Sequence, residues 1–301
     1  MRTKLIFLVG PTAVGKTNLS VSLAKKINAE IISCDSMQVY KGMDILTSKP
    51  PAGLRKKTPH HLIDVIKPSN EYNVSKYRGQ AIKKISEIVK RGKTPFFVGG
   101  SGLYMSVVVD GIFEVKTEDP VLRKRLYKQA KEYGSQKLHA DLARVDPQAA
   151  GKIHPNDAKR IIRALEVFKV SGKPISQMQS ARKGLGDEYD IRIFCLDMPR
   201  EELDKRIDLR VDQMFRQGLV KEVKELLKAR LSKTAAMAIG IKEVKGYLNG
   251  EYGLQEAKIM MKKNTRKYAR RQMTWFRKDK RIVWFTNAQT LMRSIAQPGK
   301  N

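Results

Sequence analysis

Residues Gly10-Pro-Thr-Ala-Val-Gly15-Lys16-Thr17 match the pattern G-x-x-x-x-G-K-[ST], and their setting makes the match credible. Leu5-Ile-Phe-Leu-Val9 before them reads as a buried strand. Lys16 to Ile27 after them places Leu19, Leu23 and Ile27 at i, i+4 and i+8, the spacing of a helix face. In a strand, glycine loop and helix taken in that order, backbone N–H groups turn inward around a phosphate and the helix N-terminus adds partial positive charge. Gly10, Pro11, Thr12, Ala13, Val14 and Gly15 are expected to wrap the phosphate, with Lys16 neutralising its oxygens and Thr17 ligating Mg²⁺. The motif names a phosphorylated ligand without saying which one.

The rest of the chain extends the same architecture. Glu30-Ile-Ile-Ser-Cys34 and Thr94-Pro-Phe-Phe-Val98 read as further strands, the second preceded by a helical stretch from Val74 to Arg91. Strands alternating with helices predict an α/β fold, a P-loop NTPase-like parallel sheet flanked by helices. Sites in such sheets lie at the carboxyl ends of the strands, where Gly10, Asp35 and Gly99 fall. From Asp119-Pro120 to about Ala181 the strand signal disappears, and Leu122, Leu126, Ala130, then Ile161, Leu165, Phe168, mark amphipathic helices. Asp119 and Asn156 are the expected N-caps. A strand returns at Ile191–Leu196 and a helical pattern runs from Glu201 to Ala229. The expected division is therefore a first part of the α/β core over 1–115, an all-helical insert over 116–186, and a second part of the core over 187–301 with a basic helical C-terminal region.

Composition narrows the partner. Sixty Lys and Arg against thirty Asp and Glu give a formal charge of +30, on a chain whose 41% apolar residues suffice for a sizeable core. That imbalance points to a polyanion, nucleic acid or an acidic membrane surface, unless it is a generally solvated lysine-rich exterior. Lys258 to Arg281 carries 11 Lys and Arg in 24 residues, with Asp279 its one acid and Tyr268, Trp275 and Phe276 interleaved. Basic residues with aromatics suit RNA, though Met273, Trp275 and Phe276 fit a core equally well. Two cysteines, Cys34 and Cys195, exclude a disulfide framework or a Cys-based zinc module, and the four histidines form no spaced ligand set. No stretch is long and apolar enough for a membrane span or a signal peptide, so a soluble, unprocessed cytoplasmic protein is expected.

The acceptor side decides the chemistry. No Asn-Lys-x-Asp run for guanine is present, and Val107-Val-Val-Asp110, which mimics a Mg²⁺-positioning strand, falls in a helical context. Asp35 sits where small P-loop transferases keep the group that faces the acceptor, and is a general-base candidate. Its alternative role is to cap the turn Ser36-Met37-Gln38.

Several runs together resemble the tRNA dimethylallyltransferases. They are Gly10 to Thr17; Ile32-Ser-Cys-Asp35-Ser-Met-Gln38-Val-Tyr-Lys-Gly-Met-Asp44; His60-His-Leu-Ile-Asp64; and Val98-Gly-Gly-Ser-Gly-Leu-Tyr104. Asn156-Asp157 with Arg160-Ile-Ile-Arg163-Ala-Leu-Glu-Val167, Ala238-Ile-Gly240 with Lys242-Glu243, and Tyr268-Ala-Arg-Arg-Gln-Met-Thr-Trp275-Phe-Arg277 follow in family order. The resemblance implies prenylation of the exocyclic amine of adenosine 37 in tRNA by dimethylallyl diphosphate, with pyrophosphate leaving into the P-loop. On that reading Asp35 orients the amine and takes its proton, while Lys16, Thr17 and Mg²⁺ stabilise the leaving charge. Arg210 matches an arginine that reaches the diphosphate. Asp35, Ser36, Met37, Gln38 and Ser101 match positions at the flipped adenosine and its neighbours, Ser101 having a helix cap as its alternative role. Arg123 and the segment Lys159-Arg160-Ile161-Ile162-Arg163 match positions in the insert that meet tRNA, against the alternative of a merely solvated face. The implied partners are the tRNA anticodon stem-loop and dimethylallyl diphosphate, with no membrane, and a monomer is expected.

Two departures from the family pattern stand out. Leu46-Thr-Ser-Lys49-Pro50 replaces Gly-Thr-Ala-Lys-Pro, which is expected to alter the local backbone, and Ile241 stands where tyrosine is common. The rival readings are a small-molecule P-loop kinase, which leaves the charge unexplained, and an RNA-binding NTPase, which leaves the order of the other motifs unexplained.

Overall fold

Six strands form one sheet in a computed structural model that describes residues 2–113 and 119–296. They are β1 (Thr3–Val9), β2 (Ala29–Cys34), β3 (His60–His61), β4 (Thr94–Gly99), β5 (Tyr189–Leu196) and β6 (Ile282–Phe285), in the order β3-β2-β4-β1-β5-β6. Every pairing is parallel. Leu5, Phe7, Leu8, Val9 and Ile32 are fully buried because parallel strands are covered on both faces, and Phe7 stacks on Phe97 of the neighbouring strand. In register, Val9 lies beside Gly99 and Gly99 beside Cys34. The residues that follow, Gly10, Gly100 and Asp35, therefore emerge side by side at the carboxyl edge.

Helices α1 (Lys16–Lys26), α2 (Ala52–Lys57), α3 (Val74–Lys90) and α4 (Gly102–Val109) belong to this first unit, residues 1–109 with 185–301. Val107 to Val109 are buried helix, so the strand that Val107–Asp110 mimics does not form. The second unit, residues 110–184, contains α5 (Pro120–Tyr133), α6 (Ser135–Val145), α7 (Pro147–Ala150), α8 (Ala158–Ser171) and α9 (Ile175–Ser180). Its core is Leu122, Leu126, Leu138, Leu142, Ile161 and Leu165 with their neighbours. Asp119 caps α5 as expected, but the side chain that caps α8 is Asp157, which accepts from the Arg160 N–H at 3.1 Å, and not Asn156. The expected boundary at 115/116 lies outside the described residues. The first unit resumes at Leu185, whose N–H donates to the Val109 carbonyl at 3.0 Å.

The chain then forms α10 (Arg200–Arg216), α11 (Leu219–Leu226), a 3₁₀ turn at Ala235–Met237, α12 (Ile241–Leu248), α13 (Leu254–Phe276) and α14 (Ala288–Ala296). The single helical pattern expected over 201–229 is two helices, divided at Gly218, whose φ of +98° places it in the left-handed region. Two strands escaped the sequence reading. β3 is two residues long, and β6 sits inside a basic segment that reads as helical. Glu30, buried on β2, receives Arg91 at 2.8 Å and Lys93 at 3.1 Å and pairs with His61 at 2.7 Å. Burial alone would push its carboxyl up, but the Arg91, His61 and Lys93 contacts prevail and bring it down to about 2. Among the described residues no helix is long and apolar enough to cross a membrane.

Candidate active site

The loop after β1 has the backbone its glycines allow. Gly10 and Gly15 have φ of +146° and +103°, and a Cβ on Gly10 would run into the Leu196 carbonyl. Ala13, also at positive φ (+67°), carries strain within the loop. Lys16 Nζ donates to the carbonyls of Gly10 (2.9 Å) and Pro11 (2.6 Å), and Arg210 of α10 donates to Thr12 Oγ1 at 3.2 Å. Two cations thus converge on the phosphate loop. Burial, aided by the nearby Arg210 charge and opposed by Cys195 and Asp35, lowers Lys16 to about 8.

Asp35 leaves the end of β2 and lines the same pocket as Thr12, Lys16, Thr17, Arg210 and Tyr268. Its Oδ1 accepts from the backbone N–H groups of Met37 (2.8 Å) and Gln38 (3.3 Å). The turn-capping role and the place facing the P-loop therefore coexist in one carboxylate. Burial raises its pKa, against the Met37 and Gln38 N–H groups and the Lys16 charge, which lower it. A half-buried carboxylate of raised basicity beside a cation is the kind of group that abstracts a proton.

A second pocket adjoins the first and shares Thr12, Asp35, Arg210 and Tyr268 with it. Its own walls are mostly apolar: Met37, Leu46, Val211, Met214, Ala238 and Met261. A polar half lined by the P-loop and an apolar half thus meet at Asp35. Leu46 is not among the residues of positive φ; that strain falls instead on Ser48, at +47°. Its side chain lies against Gly240, where a Cβ would collide with Leu46 Cδ1. Ile241 is buried as the first residue of α12.

The remaining expected contacts divide. Ser36 and Met37 line the apolar pocket, and Gln38 lines the polar one, where its Oε1 accepts from Ser33 Oγ at 3.0 Å. Ser101 Oγ accepts from the Tyr104 N–H at 3.3 Å, the helix-cap geometry, and Ser101 is absent from the walls of both pockets. Met273 and Phe276 are core, while Trp275, 40% exposed, lies against Gly102. Gln272 was not singled out from sequence. From α13 its Oε1 accepts from the Thr12 N–H at 3.0 Å and its Nε2 donates to the Gly100 carbonyl at 2.8 Å, tying the P-loop to the second glycine turn. It stands inside the run Tyr268–Arg277, where nothing local marked it. His60 lines the polar pocket, His61 pairs with Glu30, and His139 bonds the Ala150 and Ile153 carbonyls. Among the described residues no group of three or more His, Cys, Asp or Glu is placed to hold a metal.

The second unit carries the other expected RNA contacts. Arg123 and Arg163 both bind buried Glu166, Arg123 through Nε and a terminal nitrogen at 2.9 and 3.0 Å and Arg163 at 2.8 Å. Burial raises the Glu166 pKa, but the two arginines outweigh it and leave the carboxyl below its ordinary range. Arg160, paired with Asp157 at 3.3 Å, is largely exposed, and so is Lys159. Ile161 and Ile162 correct the expectation: their side chains are buried in the helical core and have no surface for a nucleic acid.

Known proteins resemble this chain along nearly its whole length. A family model described as IPP transferase matches residues 38–279, and one described as isopentenyl transferase matches residues 1–64. The tRNA dimethylallyltransferase of Carboxydothermus hydrogenoformans is 48% identical over 299 residues, 99% of this chain and 96% of that one. The crystal structure of the full-length tRNA isopentenylpyrophosphate transferase of Bacillus halodurans superposes with a TM-score of 0.72 at 42% identity, covering 98% of this chain and 95% of the other. A structure of a eukaryotic dimethylallyltransferase acting on tRNA gives a TM-score of 0.81 at 30% identity, over 97% of this chain and 78% of that one. A family model that matches most of the chain, and relatives alike from end to end, make this protein a member of the IPP transferase family.

Proposed function

We propose that this chain transfers a dimethylallyl group from dimethylallyl diphosphate to the exocyclic amine of adenosine 37 in tRNA, releasing pyrophosphate. The observation that carries the reading is Asp35 in one pocket with Lys16 and Arg210, at the junction with an apolar pocket. Backbone N–H groups of the P-loop, Lys16 and Arg210 bind the diphosphate and stabilise the charge that builds as the C1–O bond breaks. The amine nitrogen forms the new bond to C1, and Asp35 accepts the proton it loses. Asp35 can act so because the Met37 and Gln38 amides fix one oxygen of its carboxylate.

Thr17, lining the pocket at the start of α1, supplies a hydroxyl oxygen. With diphosphate oxygens and water it makes the oxygen-rich set that Mg²⁺ prefers. Thr17 would hold the ion, which when bound would neutralise leaving-group charge. The +30 charge, the basic face of α13 and exposed Arg160 and Lys159 support tRNA as the acceptor.

The test is incubation with Mg²⁺, labelled dimethylallyl diphosphate and unmodified tRNA, followed by nucleoside analysis. Label appears on adenosine 37 with the wild type, and Asp35→Asn, which keeps an acceptor for the Met37 amide, loses about 10²–10⁴-fold in rate. ATP consumption without label on RNA would overturn the reading in favour of a kinase or NTPase.

A further inference from the structure

The loop that walls both pockets belongs to no strand or helix. Residues 41–51 run as turns between the Asp35 turn and α2, and Leu46, Thr47 and Ser48 line the apolar pocket, the latter two also lining the polar one. Such a segment needs partners for its backbone amides. Lys41 donates to the Ile66 carbonyl, and Ser48 and Lys49 donate back to the Ile45 and Asp44 carbonyls, but the partner of the three amides between comes from one distant side chain. Glu222, in the first turn of α11, accepts the N–H groups of Asp44 and Ile45 on Oε2, at 3.1 and 2.8 Å, and that of Leu46 on Oε1 at 2.8 Å. Three successive amides converge on one carboxylate, the arrangement of a backbone anion nest. On its other side the loop is fixed by Lys49, which donates to the Tyr40 carbonyl, Asp44 and Asp64.

We propose that Glu222 is a positioning residue for the transfer reaction: its carboxylate fills the nest at Asp44–Leu46 and holds the 44–48 loop in the shape that walls the site. The inference rests, for its kinetic consequence, on the prenyl-transfer reading. Held this way, Leu46 stays against Gly240, whose own N–H donates to Glu243 Oε2 at 2.8 Å, and Thr47 keeps its carbonyl toward Gln38 Nε2 at 3.4 Å. Without the carboxylate, three amides lose their acceptor at once and the strained Ser48 turn has less to hold it. The P-loop, built on β1 and α1, shares none of these bonds.

The experiment compares Glu222→Gln and Glu222→Ala with wild type. Glu225→Gln, an exposed acid on the same helix paired with Lys228, removes the same charge as a control. The glutamine variant presents an NH₂ where the nest requires an acceptor. Expected is a fall in kcat of about tenfold or more, with inorganic pyrophosphate affinity changed by less than about threefold. The peptide covering 43–48 exchanges its amide hydrogens faster while β1 and β4 keep their protection, and Glu225→Gln behaves as wild type. Unchanged exchange in that peptide would overturn the proposal. So would a loss of kcat, pyrophosphate affinity and β1 protection together, the mark of general destabilisation. Were wild type itself to transfer no prenyl group, the functional reading would fail separately. Exchange at 43–48 would then still decide whether Glu222 holds the loop.

Discussion

Lys16 and Asp35 occupy one pocket and are displaced in opposite directions by the same cause. Removing water from a charge disfavours it, so burial lowers the ammonium to about 8 and raises the carboxyl, while their mutual attraction opposes both shifts. On the proposed reading, the form competent for transfer has Asp35 ionised and Lys16 protonated. As pH rises through the elevated Asp35 value the base comes into play, and as it rises further through about 8 the cation that receives pyrophosphate is lost. A bell-shaped kcat/KM is expected, its acid limb above the ordinary carboxylate range and its alkaline limb near 8, the two limbs belonging to the pair. Bound diphosphate favours the protonated lysine, so the alkaline limb of kcat lies higher. Lys16→Arg keeps its charge through this range and removes the alkaline limb while the acid limb stays. Steady-state kinetics over roughly pH 5–9.5 checks this, and a limb near 8 surviving in Lys16→Arg would assign it to another group.

Within the helical unit, residues three apart on α8 have different work. Arg163 joins Arg123 in neutralising Glu166, which is 1% exposed, whereas Arg160 reaches outward beside Asp157. Arg123→Ala takes two hydrogen bonds from that carboxylate and should destabilise the unit by about 1–3 kcal/mol, read as a lower denaturation midpoint. Arg160→Ala should leave the midpoint alone and reduce the salt slope of tRNA binding by about 0.7–0.9 if it contacts one phosphate. Equal effects of the two changes on slope and midpoint would remove the distinction. Spacing revealed the helix and its core face here, but not the pairing of Glu166 with Arg123, because 43 residues separate the two and no local pattern joins them. The same holds in the α/β unit. Gly10–Thr17 and Asp35 were legible because strand, loop and helix are contiguous in sequence. Gln272, 260 residues from Thr12, and Glu222, 176 from Leu46, were not, since only folding brings them together. β3 and β6 were missed for lack of length and because Lys280 and Arg281 mask a short apolar run.

At the scale of the molecule, Lys and Arg outnumber the acids two to one, and several of those acids are turned onto the protein's own groups. Glu222 and Glu243 hold backbone amides, Glu71 accepts from the Lys233 N–H and Thr234, and Glu30 and Glu166 are buried among cations. What remains toward solvent is a broadly basic surface, whose attraction for RNA is sequence-independent and arises from counterion release. The proposed transfer chemistry, by contrast, is confined to the pocket at Asp35. Affinity and selectivity should therefore separate. A tRNA with adenosine 37 and one lacking it are expected to bind with parallel plots of log Kd against log salt, each losing about 10³–10⁵ in affinity between roughly 50 and 200 mM salt if six to ten phosphates are neutralised. Their kcat/KM values should differ far more than their Kd values, because only one presents the adenine N6 amine to Asp35. Binding titrations at several salt concentrations beside single-turnover transfer make the comparison. Slopes that differ by more than about 0.9 would show that the target base governs how many phosphates are engaged, and would move selectivity from the pocket to the binding surface.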